Sequence, residues 1–248
     1  MIICKGKSEL AKMREANVIV AEVLEHLGSL LQEGVTTTEL NQVAEEMILK
    51  REGDPAFKGY QGFPASLCAS VNDEIVHGIP NDRPLRDGDI VGLDVGVCYK
   101  GFYGDSAWTF PVGEISKESE KLLNVTRESL YRGIQHVAVG NRISDISHAI
   151  QEFVEDNGFS VVREFVGHGI GKSLHEEPQV PNYGEPGRGP RLVEGMVLAI
   201  EPMVNSKGPG VKVLDDKWTA VTADGGFSAH FEHSVAVTDN GPWILSEQ

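Results

Sequence analysis

Asp94 and Asp105 lie in "IVGLDVGVCYKGFYGDSAWTF", each inside an apolar, strand-like run. A turn centred on Tyr99-Lys100 would set Asp94 directly opposite Asp105. Facing residues of an antiparallel pair share one side, with Cβ atoms about 4.5–5.5 Å apart; a one-residue shift of the turn would separate the two. Glu201 closes the apolar run "MVLAI", and Glu232 is embedded in the strand-like "SAHFEHSVAV". His168 stands among glycines in "GHGIG", which leave its ring accessible. Neighbouring carboxylates repel unless one is protonated or a cation lies between them, and buried charge without a partner is costly. Basic residues are too few at these places to pair with all four. A pair of divalent ions would resolve the charge. Four carboxylates and one imidazole form an oxygen-rich donor set, suited to Mn, Fe or Co and possible for Zn. Two ions about 3.5–4 Å apart can share an activated water and clamp a tetrahedral intermediate. The plainer alternative is a solvated hairpin face, against which the apolar neighbours Val91, Leu93 and Val95 weigh.

"GHGIGKSLHEEP" also contains Gly-Lys-Ser, which raises a phosphate-binding loop as a rival. A P-loop needs four residues between its first glycine and the Gly-Lys pair; Gly167 and Gly171 enclose three, and Val166 stands where that glycine should be. A P-loop also feeds a helix, whereas Pro178 and Pro181 follow soon after. Spacing and context both disfavour this rival.

The elements that must position these residues can be read from periodicity. Leu10, Met13, Val20, Val23, Leu24 and Leu27 recur at helical spacing after Ser8, with Gly28 as the expected stop. "GVTTTELNQVAEEMILKREG" predicts a second helix, with Thr36 and Glu39 at capping-box spacing and Gly53 at its end. Ser116 opens a third and Gly158 closes a fourth, "ISDISHAIQEFVEDNG". Residues 90–110 read as a hairpin, and the chain from about Ser160 onward as strands and loops. "PLRDGDIVGLD" (84–94) matches "RLVEGMVLAIE" (191–201): Leu85 falls on Leu192, Gly88 on Gly195 and Asp94 on Glu201. A duplicated half with a site between the two copies is the better reading. Helices alternate with blocks of hairpins, so the fold class is α+β with a largely antiparallel sheet, and residues 1–248 read as one domain.

Composition bounds the function. The formal net charge of −15 argues against a broad nucleic-acid surface. No apolar run approaches membrane-spanning length, and "MIICKGKSEL" lacks the long apolar stretch of a signal peptide. Three cysteines, none in Cys-x-x-Cys, fit a reducing cytoplasm.

Across nearly its whole length the sequence resembles the type I methionine aminopeptidases, a metallopeptidase family with the pita-bread fold. The resemblance rests on "KMREAN", "GVTTTELN", "FKGYQGFPASLCASVNDEIVHGIP", "DGDIVGLDVG", "YGDSAWTF", "GHGIG", "LHEEPQVPNYG", "AIEPM" and "DDKWTAVTADGGFSAHFEHSVAV". It implies a pseudo-twofold antiparallel core with helices packed on its outer face. It also implies a single catalytic domain that removes the N-terminal methionine from nascent proteins when the second residue is small. Two divalent ions are implied, with Asp94 on one, His168 and Glu201 on the other, and Asp105 and Glu232 bridging. The water they share would attack the first peptide carbonyl, with Glu201 also carrying protons. By the same resemblance His175 steadies the oxyanion and His77 lies near the scissile nitrogen. Phe57, Tyr60, Phe63, Cys68, Leu174 and Trp218, with His77 and His175, would bind substrate. A thioether suits such aromatic walls, although on residue type alone core packing would be the commoner reading. Expected partners are nascent-chain N-termini and, transiently, the ribosome, for a cytoplasmic monomer with no membrane or sequence-specific nucleic-acid partner. An N-terminal cysteine-rich extension and the large type II insertion between Glu201 and Glu232 are both missing. Prolidase-like peptidases of the same fold usually add an N-terminal domain, and non-enzymatic relatives lose ligands; all five ligand positions are filled here. One departure stands out: His230, in "AHFEH", replaces the family's usual glutamine. It could act as a donor behind the site or shift metal preference, but a tolerated swap between two hydrogen-bonding side chains is the favoured reading; alternation puts it on the face of Glu232 with His233 opposite.

Overall fold

The computed structural model describes residues 2–247. Its first half runs α1 (Lys7–Leu30), α2 (Thr37–Lys50), β1 (Asp54–Pro55), β2 (Cys68–Val71), β3 (Glu74–Val76), β4 (Ile90–Tyr99) and β5 (Phe102–Pro111). The second half begins with α3 (Lys117–Ile134) and α4 (Ile143–Asp156), followed by β6 (Ser160–Val161), β7 (Gly167–Gly169), β8 (Glu176–Val180) and β9 (Val197–Ile200). It closes with β10 (Met203–Asn205), β11 (Val211–Val213), β12 (Ala220–Thr222), β13 (Ser228–His230), β14 (His233–Thr238) and β15 (Gly241–Ile244). All strand ladders among the described residues are antiparallel, as the α+β reading requires.

Local chemistry starts the helices where the sequence says it should. Thr36 Oγ1 accepts from the Glu39 N–H at 3.2 Å while Glu39 accepts from the Thr36 N–H at 2.8 Å, satisfying two orphan donors of α2. Ser116 Oγ caps α3 by accepting from the Ser119 N–H. Gly158, at φ +84°, follows α4. Gly28 is not a stop: α1 continues to Leu30. Its missing side chain serves packing, since a Cβ there would lie 2.5 Å from the Phe110 ring. Past α2, the left-handed residue is Glu52 rather than Gly53.

The duplication is visible in hydrogen bonds. Gly88 and Gly195, at φ +91° and +85°, make the turns that enter β4 and β9. The Gly88 N–H donates to Val112 O, and the Gly195 N–H to Val237 O. Upstream, Leu85 O accepts from Gly34 as Leu192 O accepts from Gly140. Each helix pair then covers one sheet face. Ile19, Val23, Leu27, Leu40 and Ile48 pack on Leu93, Val95 and Val97. Leu122, Leu130, Ile146 and Ile150 belong with Leu198, Ile200, Val235 and Val237. Side chains alternate along a strand, so Asp94 points away from the helices, toward the sheet's other face.

Candidate metal centre and substrate cavity

The β4–β5 hairpin corrects the expected register. Its two-residue turn is Lys100-Gly101, both left-handed at φ 51° and 77°, which matches the twist of the flanking strands. Asp94 therefore pairs with Ala107, and Asp105 with Gly96. The aspartates are diagonal neighbours on one face, so the shift does not send them to opposite sides. Gly101 was the readable signal, because such turns favour glycine at their second position.

The second half reaches the same face. Glu201 follows β9 directly. Glu232 does not lie within a strand but in the break between β13 and β14. There its N–H donates to Ala107 O at 2.8 Å, and its carbonyl accepts from Ser106 Oγ at 2.5 Å, tying it to β5. His168 sits on β7, and its flanking glycines do something other than open space for the ring. A Cβ on Gly167 would meet Ala199 O at 2.3 Å, and one on Gly169 would meet Glu177 O at 2.3 Å. They admit the neighbouring strands. His168 Nδ1 lies 2.9 Å from Gly169 O; a carbonyl only accepts, so Nδ1 carries the proton and Nε2 keeps its lone pair. Nε2 faces Glu201 Oε1 at 3.6 Å and Asp105 Oδ2 at 4.0 Å. Ligand atoms of Asp105, His168 and Glu232 converge within 4.8 Å of one another.

The electrostatics show what this arrangement requires. Burial raises the pKa of Asp94 to about 7, against a smaller lowering by its contact with Asp105. Burial, with neighbouring carboxylates adding to the rise, lifts Asp105, Glu201 and Glu232 well above the usual carboxylate range. Asp94 Oδ1, Asp105 Oδ1 and Glu232 Oε1 are buried without a hydrogen-bond partner. Buried polar atoms are ordinarily paired. Clustered, unpartnered carboxylate oxygens beside an imidazole lone pair fit divalent cations. Burial also lowers the pKa of His168 to about 4, so its imidazole is neutral and able to ligate.

A cavity of about 210 Å³ opens above these groups. Phe57, Tyr60, Phe63, Cys68, His77, Leu174, His175 and Trp218 all line it, together with the five carboxylate and imidazole groups. Phe63 meets Trp218 edge-on at 5.2 Å, and His77 stands edge-on to Phe165 at 5.3 Å. Cys68 pairs with Asp94 across β2–β4; burial and the nearby carboxylates push its thiol pKa up, so it serves as a small apolar wall. His175 is exposed at the rim, 2.8 Å from the Tyr60 hydroxyl, with its ring 4.2 Å from that of His168. Gln61 lines the cavity too and was missed. Its position inside a Gly59–Gly62 loop was the available hint. Gln61 and His77 hold left-handed backbone at φ 48° and 59°, which costs about 1–2 kcal/mol for a residue other than glycine. The Gly-Lys-Ser amides are engaged internally: the Lys172 and Ser173 N–H groups donate to Glu176 Oε1.

The chain matches metallopeptidase family M24 over residues 11–239. It is 57% identical over 246 residues to the methionine aminopeptidase of Clostridium perfringens and, over the same length, to methionine aminopeptidase 1 of Bacillus subtilis, covering 99% of both chains in each case. The crystal structure of methionine aminopeptidase from Thermotoga maritima superposes with a TM-score of 0.99 at 46% identity, with both chains fully covered. The Xaa-Pro dipeptidase of Bacillus anthracis shares the fold at a TM-score of 0.76 and 23% identity, over 99% of this chain and 62% of that one. The chain belongs to metallopeptidase family M24, and its architecture is that family's pita-bread fold. Within the family its full-length likeness is to the bacterial methionine aminopeptidases. Among the described residues no helix is long and apolar enough to cross a membrane.

Proposed function

We propose that the chain hydrolyses the first peptide bond of nascent polypeptides to release methionine when the second residue is small. The observation that carries this is the placement of unpartnered, buried carboxylate oxygens at the floor of an apolar, aromatic-walled slot. Asp94, Asp105, His168, Glu201 and Glu232 would hold two divalent ions, from Mn, Fe, Co or Zn. When bound, they supply Lewis acidity and a water of lowered pKa.

The chain's own groups do the rest. Phe63, Trp218 and Cys68 receive the methionine side chain, whose polarizable sulfur is favoured against ring edges. The apolar walls exclude water from the scissile bond. With the Tyr60 hydroxyl, 2.8 Å away, as donor to His175 Nδ1, Nε2–H would be left as the donor to a developing oxyanion. Burial lowers the pKa of His77 to about 4, so its neutral imidazole can hydrogen-bond the scissile nitrogen without adding charge. Glu201 would accept a proton from the attacking water and pass it to the leaving amine. The protein would act in the cytoplasm as a monomer, meeting its substrates in transient contact with the ribosome.

Release of methionine from Met-Ala-Ser and Met-Lys-Ser, with Mn(II), Fe(II) or Co(II) and after chelation, tests the proposal. Metal-dependent cleavage of the first peptide alone is expected. No release from either peptide with any of the three metals overturns it and turns attention to Xaa-Pro substrates.

A further inference from the structure

His230 is buried, with 4% of its surface exposed, and its Nε2 has no hydrogen-bond partner. The duplicated architecture explains why it faces the carboxylates. Ile90 pairs with Pro111 in the first half as Val197 pairs with Ala236 in the second. Carried down the strands, this correspondence sets Ala107 against Glu232 and Asp105 against His230. Two hydrogen bonds mirror each other about the same axis: Thr109 Oγ1 donates to His230 O, and Ser234 Oγ donates to Asp105 O. His230 thus holds, in the second half, the place that Asp105 holds in the first.

Its reach is nonetheless different. Nε2 stands 3.7 Å from Glu201 Oε2, whereas the other oxygen, Oε1, faces His168. We infer that His230 is a positioning residue for Glu201, donating Nε2–H to the outer carboxylate oxygen and fixing the orientation in which that carboxylate meets a metal ion. The inference rests on the metal-centre reading above. A ligating carboxylate held from behind loses less freedom on binding, and removing such a partner typically weakens metal affinity about 10–100-fold. A glutamine at this position offers an amide N–H to the same oxygen.

Calorimetric titration of Co(II) into the metal-stripped wild type, His230→Gln and His230→Leu tests this, with circular dichroism confirming the fold and the visible Co(II) spectrum recorded at saturation. His230→Gln should bind as the wild type does. His230→Leu should bind about 10–100-fold more weakly, with an unchanged Co(II) stoichiometry and d–d spectrum, because no ligand is lost. Where leucine does not preserve the fold, His230→Ala makes the same comparison. Wild-type affinity in the apolar variant overturns the inference. A lost Co(II) equivalent or an altered d–d spectrum also overturns it and makes His230 a direct ligand. No binding by the wild type instead removes the metal-centre reading itself.

Discussion

The two halves of the molecule deliver their carboxylates by different routes. In the first, Asp94 and Asp105 belong to one hairpin closed by Lys100-Gly101, so a local turn sets their relation. In the second, β9 and β14 pair across the whole interval from Glu201 to Glu232, with β10 to β13 inserted between them. Glu201 and Glu232 sit just outside strand ends, and non-local contacts such as Ser106 Oγ to Glu232 O fix them. His168 comes from a third strand, β7, which pairs with β9. A duplicated scaffold has therefore kept its strand register while its two copies diverged in side chains. Ala107 faces a place that Glu232 fills in the other copy, and Asp105 matches His230. The site is asymmetric although its frame is not, and neither half holds a complete ligand set.

The sharpest way to break the comparison is to remove one carboxylate from each half. Asp105→Ala and Glu232→Ala should each reduce methionine release to background in metal-replete buffer, because each supplies a carboxylate to the proposed metal centre. Substantial activity in either would mean that one half suffices.

A smaller effect is expected from His175→Ala. Loss of one oxyanion donor typically costs about 10²–10³ in kcat, so kcat should fall by that order with KM little changed. Steady-state kinetics on Met-Ala-Ser would decide, and a change confined to KM would contradict the assigned role.

Helix packing offers a comparison free of catalysis. Gly28 on α1 abuts the rigid Phe110 ring, whereas a Cβ on Gly133 of α3 would meet the end of the Ile150 side chain at 2.9 Å. Gly28→Ala should destabilise by about 1–3 kcal/mol through overpacking. Gly133→Ala should cost less, because its contacts with Cγ1 and Cδ1 of Ile150, both at 2.9 Å, are milder than the 2.5 Å approach to the Phe110 ring. Denaturant midpoints would rank the two.

The gentlest test is pH. Burial raises the folded carboxyl pKa values, to about 7 for Asp94, and lowers those of His77, His168 and His233 to about 4 and of His230 to about 3. Below about pH 6.5 the two sets of shifts oppose each other; above it the imidazoles are neutral in both states, the folded metal-free chain holds more protons than the unfolded chain, and its stability should fall as pH rises through 7. Saturating Mn(II) should flatten that slope, as thermal melts across the range would show.

Much of this organisation was legible in the sequence. Helix starts at Thr36 and Ser116 follow from capping chemistry, and the duplication follows from Leu85/Leu192 and Gly88/Gly195. The cavity residues were legible only through family resemblance, since Tyr60, Phe63 and Trp218 have the composition of ordinary core. The failures share one cause, which is that glycine spacing leaves its purpose open. Gly28 looked like a helix end and is a packing contact. Gly167 and Gly169 looked like access for His168 and are close strand approaches. Gly101 places the hairpin turn one residue beyond the expected centre. The break that positions Glu232 depends on β5, distant in sequence, so no local pattern announces it.

A crystal structure of the protein grown with Mn(II), with anomalous differences measured at the Mn edge, tests the central claim most directly. A centre assembled between the two halves should give two peaks about 3.5–4 Å apart, both touching Asp105 and Glu232, one also reaching Asp94 and the other His168 and Glu201. A lone peak, or peaks ligated from one half only, would contradict a dinuclear centre assembled between the two halves.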